Sequence, residues 1–316
     1  MRRFSVIVPT FQRRETVLHT VSALDQQRER DFEVIVVDDG SGDGSAAALR
    51  ELRVGFPLTV LEQPNRGAAA ARNAGAEAAE GELLVFLDDD MRADPALLAE
   101  HDRSHREGAD MVMGDLPLDP ASPRNLLSWG VGSWAARRCE RLTAPGAAQI
   151  GIGDLLTGQM SISREAFTAL GGLDPTFTRD GLFGGEDLDF GHRVLAAGYK
   201  VVFNPAAISY QYYDVDPAKY LRRARETGRS DRELVAKHPE LAAALAAGPS
   251  FKTRRSRWLL TPFLLAPSFF SAPLRGGAAL LVRSGLNTPR ARSLFFAVRT
   301  LEYLRGARQV ERKAAV

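Results

Sequence analysis

Three consecutive aspartates, Asp88, Asp89 and Asp90, follow five apolar residues, Leu83 to Leu87. Carboxylates set side by side repel one another when ionised and call for a compensating cation. Hard oxygen donors suit Mg²⁺ or Mn²⁺, which bind through one or two carboxylates and fill the rest of their shell with substrate phosphate and water. A solvated acidic turn is the plainer reading of the same triplet. A second acidic pair, Glu186-Asp187, opens a stretch with helical periodicity that ends before Gly198. Acids at that place cap a helix and complement its dipole.

The elements that must carry these acids alternate. Phe4 to Val8 reads as a strand stopped by Pro9, Glu15 to Gln27 as a helix, and Phe32 to Val37 as a strand stopped by Asp38-Asp39-Gly40-Ser41. Ser45 to Leu52 reads as a helix, Leu58 to Leu61 as a short strand, and Ala68 to Ala79 as an Ala-rich helix before the strand that ends in the aspartates. Near-continuous apolar strands alternating with helices predict an α/β fold with a mostly parallel sheet covered on both faces. Ligands of such sheets bind at the carboxyl ends of strands. Pro9-Thr10, Asp38-Asp39 and Asp88-Asp89-Asp90 therefore converge on one edge. The middle of the chain, about 111–213, is less regular, with a Gly/Pro/Ala stretch at 144–153 and a further strand at Val201 to Phe203.

With 45% hydrophobic and 25% charged residues over 316 positions, the chain has the composition of a folded protein with a substantial core. Cys139 is the single cysteine, which excludes an intrachain disulfide, and Met1 to Phe4 run into a strand without an apolar leader. A cytoplasmic protein is expected. The net charge of +2 conceals a split: residues 251–316 hold 13 Lys/Arg against 2 Asp/Glu, and the remainder 28 against 37. A basic appendage on an acidic body follows. Trp258 to Phe270 is apolar but broken by Pro262 and Pro267, too short for a clean membrane span. It would lie peripherally at the inner face of a membrane, or cap the body or a second copy of the chain in a homo-oligomer. The tail's aromatics do not interleave with its arginines as a stacking platform would, so nucleic acid is not expected as a partner.

Six segments in order identify a resemblance: Val6-Ile7-Val8-Pro9-Thr10-Phe11-Gln12-Arg13, Val36-Val37-Asp38-Asp39-Gly40-Ser41, Asn65-Arg66-Gly67 through Ala70-Ala71-Arg72-Asn73, Phe86-Leu87-Asp88-Asp89-Asp90, Gly171-Gly172-Leu173-Asp174 and Gly185-Glu186-Asp187. Together they resemble the family 2 glycosyltransferases, inverting enzymes of the Rossmann-like GT-A fold. The resemblance implies a catalytic domain over 1–215, with a nucleotide-sugar half at about 1–110 and an acceptor half at about 111–215, and a helical basic extension over 216–316. It implies that Pro9, Thr10, Phe11 and Arg13 line the nucleotide and that Asp39 accepts a hydrogen bond from the base. Arg66 and Arg72 would lie near the nucleotide, where helix starts and arginine forks suit phosphate. Asp90 would ligate Mn²⁺ or Mg²⁺, Asp88 would do so directly or through water, and Asp89 would face the ribose or the metal. Asp187, beside Glu186, would be the general base toward an acceptor that the sequence leaves unidentified. The donor implied is a UDP-sugar.

Two departures stand out. Many relatives carry a metal-binding histidine where this chain reads Ala207 to Tyr213, so either Gln211 or water would take that place or the metal would bind more weakly. The Gln-x-x-Arg-Trp motif of processive synthases is absent, which implies transfer of one sugar per encounter. The rival readings are a sugar nucleotidyltransferase, which usually has a glycine-rich segment after the first strand where this chain has Pro9 to Arg13, and a non-catalytic binding protein of the same fold.

Overall fold

β1 (Phe4–Thr10) and β2 (Phe32–Asp38) are buried at every residue, β3 (Leu58–Glu62) is a half-exposed edge, and β4 (Leu83–Leu87) is again fully buried. This is the profile expected of strands covered on both faces. The computed structural model describes residues 2–146, 150–179, 183–246 and 272–314. The apolar stretch Trp258 to Phe270 lies outside the described residues, as does part of 144–153.

β5 (Met91–Ala93), β6 (Met111–Asp115), β7 (Gln159–Ser163) and β8 (Val201–Gln211) complete an eight-stranded sheet in the order β3-β2-β1-β4-β7-β6-β8-β5. The first four of these, in spatial order, pair in parallel. β7 runs antiparallel to both β4 and β6, and β5 runs antiparallel to β8. The reversal has a consequence for function. The carboxyl ends of β1, β2 and β4 share one edge of the sheet, and the amino end of β7 joins them there.

Helices α1 (Arg14–Ala23) and α2 (Ser45–Glu51) cover one face. Val17, Val21 and Leu49 pack there with Phe4, Val6 and Val8 of β1. α3 (Ala68–Ala78) covers the other, where Ala69, Ala71 and Ala76 meet Ile7, Ile35 and Val37. The small side chains of α3 bring it close to the sheet: a Cβ on Gly75 would stand 2.5 Å from Ile7 Cγ2. α4 (Leu97–Arg106), α5 (Leu126–Thr143), α6 (Arg164–Ala169) and α7 (Glu186–Ala196) follow. Sequence reading passed over β6 and α5 because short or glycine-interrupted runs carry a weak periodic signal.

The chain divides into two compact units, one of residues 1–122, 131–178 and 186–213, the other of 123–130, 179–185 and 214–316. The sheet belongs to the first. The second is built on α8 (Pro217–Lys237) and the C-terminal helix Pro289–Ala314, with α9 (Ala242–Ala246) and the helix Ala272–Arg283 beside them. α8 and the C-terminal helix touch backbone to backbone at two glycines. A Cβ on Gly228 would sit 2.0 Å from Tyr303 O, and one on Gly306 1.9 Å from Arg225 O. Beside this crossing the buried Glu302 carboxylate receives Arg225 and, at 3.4 Å, Arg275, so one acid ties three helices.

Candidate active site

The three aspartates leave β4 at the shared edge, Asp88 toward Arg72, and Asp89 and Asp90 toward Arg13. Asp89 is buried and turns back to the end of β1. Thr10 Oγ1 donates to its Oδ2 at 2.7 Å and Arg13 Nη1 to its Oδ1 at 2.6 Å. Arg13 Nη2 reaches Asp90 Oδ2 at 3.1 Å, so one guanidinium bridges two acids. Asp88 is partly exposed and accepts from Arg72 Nη2 at 2.6 Å.

Arg72 is the unexpected member. Expected near the nucleotide, Arg72 is 5% exposed, on the sheet side of α3. Its Nη1 lies 3.5 Å from Glu186 Oε1, so it joins the aspartates to the Glu-Asp pair, 96 or more positions away in sequence. Burial works against its charge, but Asp88, Asp187 and Glu186 outweigh this and raise its pKa. Arg66, by contrast, is exposed.

Gly184 and Gly185, at φ of +84° and +102°, turn the chain into α7 through backbone space that side chains rarely enter. Glu186 and Asp187 fall in the first turn of α7, where acids complement the helix dipole. Glu186 is buried, its Oε2 has no hydrogen-bond partner among the described residues, and burial followed by the neighbouring Asp187 charge pushes its pKa up to about 8. Asp187 keeps part of its surface open while lying deep among other groups. Burial raises its pKa, and Arg72 and a hydrogen bond from Thr157 Oγ1 pull the other way. Asp89 is likewise pushed up to about 7, by burial first, against the pull of Arg13.

Asp39 is buried at the end of β2, and both of its oxygens are engaged. Gln63 Nε2 and the Arg66 amide donate to Oδ1 at 2.6 and 2.9 Å, and the Gly67 amide donates to Oδ2 at 2.8 Å. The start of α3 was expected to favour an external anion; Asp39 already fills that role. Asp38 and Ser41 shape the turn, Asp38 accepting from the Ser41 amide and Ser41 Oγ from the Gln12 amide, each at 2.8 Å. Pro9 is buried within β1, and Phe11 stands 44% exposed at its mouth.

Around this edge, among the described residues, five carboxylates (Asp88, Asp89, Asp90, Glu186 and Asp187) lie with two guanidiniums, Arg13 and Arg72. Hard oxygen donors of this kind fit a divalent cation. Among the described residues no three of these acids bring oxygens within 4.8 Å of one another. Tyr212 N donates to Asp90 O at 2.8 Å, and Gln211 pairs with Met91 across β8 and β5, so the segment without the histidine does run beside Asp90. The residues that sequence reasoning missed are Thr157 and Gly158. Nothing in an isolated Thr-Gly signals a role, and only the β4–β7 pairing brings them here.

A model of glycosyl transferase family 2 matches residues 5–167, just over half of the chain. The chain belongs to that family. A second model, the N-terminal domain of galactosyltransferase, matches residues 147–215. The uncharacterized glycosyltransferase YfnE of Bacillus subtilis is 37% identical over 111 residues, 34% of this chain and 28% of its own length. Validoxylamine A glucosyltransferase of Streptomyces hygroscopicus subsp. jinggangensis is 28% identical over 274 residues, 76% of this chain and 62% of its own. The chain thus spans less than two thirds of these curated relatives. Among solved structures, the mannosyltransferase PcManGT of Pyrobaculum calidifontis, in complex with GDP-Man and Mn²⁺, matches with a TM-score of 0.62 at 20% identity, covering 98% of this chain and 87% of that one. S. aureus TarS 1-349 in complex with UDP gives 0.51 at 18% identity, over 99% and 91%. At such identities the likeness concerns the fold, which is GT-A.

Proposed function

We propose that this family 2 member is an inverting glycosyltransferase that moves one sugar from a nucleotide-sugar, UDP-linked, to an acceptor hydroxyl, with Asp187 as general base. One observation carries the reading. Arg72 binds the Asp88 carboxylate and faces Glu186, so acids from two distant segments meet in one cluster. The ligands seen with neighbours of this fold, GDP-Man in PcManGT and UDP in TarS, agree with a nucleotide-sugar donor.

In the reaction the acceptor oxygen bonds to C1 of the sugar as the bond from C1 to the diphosphate oxygen breaks on the opposite face. The nucleoside diphosphate leaves with the electron pair, and the acceptor proton passes to Asp187. Its solvent-open face gives an acceptor access, and the nearby Arg72 charge favours its ionised form. Asp90 and Asp88 would hold Mn²⁺ or Mg²⁺, which when bound neutralises charge on the departing diphosphate. Thr10 and Arg13 fix Asp89 and, with Pro9 and Phe11, line the proposed nucleotide side. Residues 1–215 carry this chemistry in our reading, and 216–316 form the extension.

No described helix is long and apolar enough to cross a membrane. Residues 272–301 contain five arginines and no acid, and Leu280, Leu286 and Leu294 are exposed there beside exposed Arg283 and Arg290. This favours peripheral contact with an anionic surface.

The test is a screen of nucleotide-sugars with Mn²⁺ or Mg²⁺, read by released diphosphate. Release of a nucleoside diphosphate supports transfer. Release of pyrophosphate from a sugar phosphate and a nucleoside triphosphate would replace it with nucleotidyl transfer.

A further inference from the structure

The dipeptide Thr157-Gly158 belongs to no regular element, yet it touches both halves of the acid cluster. Thr157 is 1% exposed and its hydroxyl donates to Asp187 Oδ1. Gly158 accepts through its carbonyl from the Asp88 amide at 3.0 Å. A Cβ on Gly158 would stand 2.8 Å from Asp88 Oδ2, so only glycine leaves that carboxylate where it is.

The segment is held firmly on both sides. Next along the chain, Gln159 begins β7 opposite Leu87, the residue before Asp88. Its side chain accepts from the Gly114 amide at 2.6 Å and donates to Ala207 O at 2.8 Å, locking the strand start to β6 and β8. Two residues before Thr157, Leu155 lies against Gly191 of α7, where a Cβ would stand 2.6 Å from Leu155 Cδ1. Asp187 and Gly191 are four apart on one helix face, about 6 Å along the axis. Leu155 has extended backbone and stands two residues before Thr157, a reach of up to roughly 6.6 Å. That reach covers the helix spacing, so Leu155 on Gly191 and the Thr157 hydroxyl on Asp187 lie along one face of α7.

We infer that Thr157-Gly158 is a positioning element that sets the base carboxylate and the donor-side carboxylate in fixed relation, the threonine aiming Asp187 and the glycine seating Asp88. The inference rests on the reading of Asp187 as base. Asp187 sits at the first turn of a helix entered through two glycines, and without the threonine its carboxylate swings between rotamers. The hydroxyl selects the one in which Oδ1 is occupied and Oδ2 is offered to the acceptor. Misplacing a reacting group by an ångström costs about a hundredfold in rate.

The experiment uses the full chain with its best nucleotide-sugar from the screen. Thr157→Val keeps the shape and removes the donor; kcat is expected to fall at least tenfold with donor KM within twofold of wild type. Thr157→Ser, which restores the hydroxyl, should recover most of the rate, a recovery that a packing role would not give. In an Asp187→Asn background, Thr157→Val should cost nothing further. For Gly158→Ala, Mn²⁺ binding to the protein without donor, read by electron paramagnetic resonance, should weaken at least fivefold, while Thr157→Val leaves it unchanged. If Thr157→Val keeps its rate while Asp187→Asn is dead, the threonine assignment falls and the base stands. An active Asp187→Asn removes the base reading and this inference with it. Unchanged Mn²⁺ binding in Gly158→Ala overturns the glycine half.

Discussion

Arg72 and Glu186 face each other at 3.5 Å, guanidinium to carboxylate, both side chains less than a tenth exposed. Asp88 takes another nitrogen of the same arginine at 2.6 Å. Arg72→Met would leave these acids crowded in low dielectric without a counter-charge. Removing one partner of a buried pair costs about 3–5 kcal/mol, and the melting temperature should fall by roughly 10 °C. Thermal unfolding followed by circular dichroism measures it. A melting temperature within two degrees of wild type would mean that the cluster relaxes freely and is not preorganised.

Asp187→Asn removes the proton acceptor and keeps the shape. Turnover should fall by about two to four orders of magnitude, with nucleoside diphosphate affinity nearly unchanged, because the substitution lies on the acceptor side. Initial rates and calorimetric titration separate the two. Retention of most of the rate would remove Asp187 from the base role.

His101 and His105 on α4 both approach Ser161 Oγ at 2.7 Å, and His105 Nδ1 faces Ala109 O at 2.8 Å. A carbonyl only accepts, so His105 donates from Nδ1, its Nε2 accepts from the serine, and His101 Nδ1 donates to the serine. These three hydrogen bonds form with both rings neutral, while the buried His101 Nε2 has no partner among the described residues. Burial, then the neighbouring His105, lowers the His101 pKa to about 3. Its value in the unfolded chain is 6.5. Between these values the unfolded chain binds the extra proton, so stability is full above pH 6.5 and is lost as the pH falls toward 3. The slope is about 1.4 kcal/mol per pH unit for one such group. His101→Asn keeps a donor at the Nδ1 position without the titration. Its urea midpoint should fall less steeply than that of wild type between pH 6.5 and 5; parallel slopes would place the titration elsewhere.

Vesicle flotation tests the basic surface. The full chain should rise with vesicles containing phosphatidylglycerol and stay behind with neutral ones. Leu286→Asp together with Leu294→Asp should abolish the effect while circular dichroism remains unchanged. Equal recovery in neutral and anionic lipid would discard the electrostatic account.

The first half of the sheet was legible because β1, β2 and β4 are apolar throughout, and a buried parallel strand leaves that mark in sequence. Their ends announced the site for the same reason: Thr10, Asp38 and Asp88 interrupt apolar runs. What could not be read was partner choice. Asp89 belongs to Thr10 and Arg13, and Asp39 to the start of α3, through hydrogen bonds spanning 24 to 79 positions. Arg72 looks like any arginine on an Ala-rich helix until the helix is laid on the sheet. Thr157 depends on the reversed β7, and a five-residue strand of alternating pattern does not declare its direction.

The paired glycines of the second unit constrain how this protein can be cut and rejoined. With Gly228 against Tyr303 and Gly306 against Arg225, α8 and the C-terminal helix mesh like a key and its lock. A truncation placed between them strands a groove with no side chain to fill it. A graft that moves the tail to another enzyme must therefore carry both helices as one cassette.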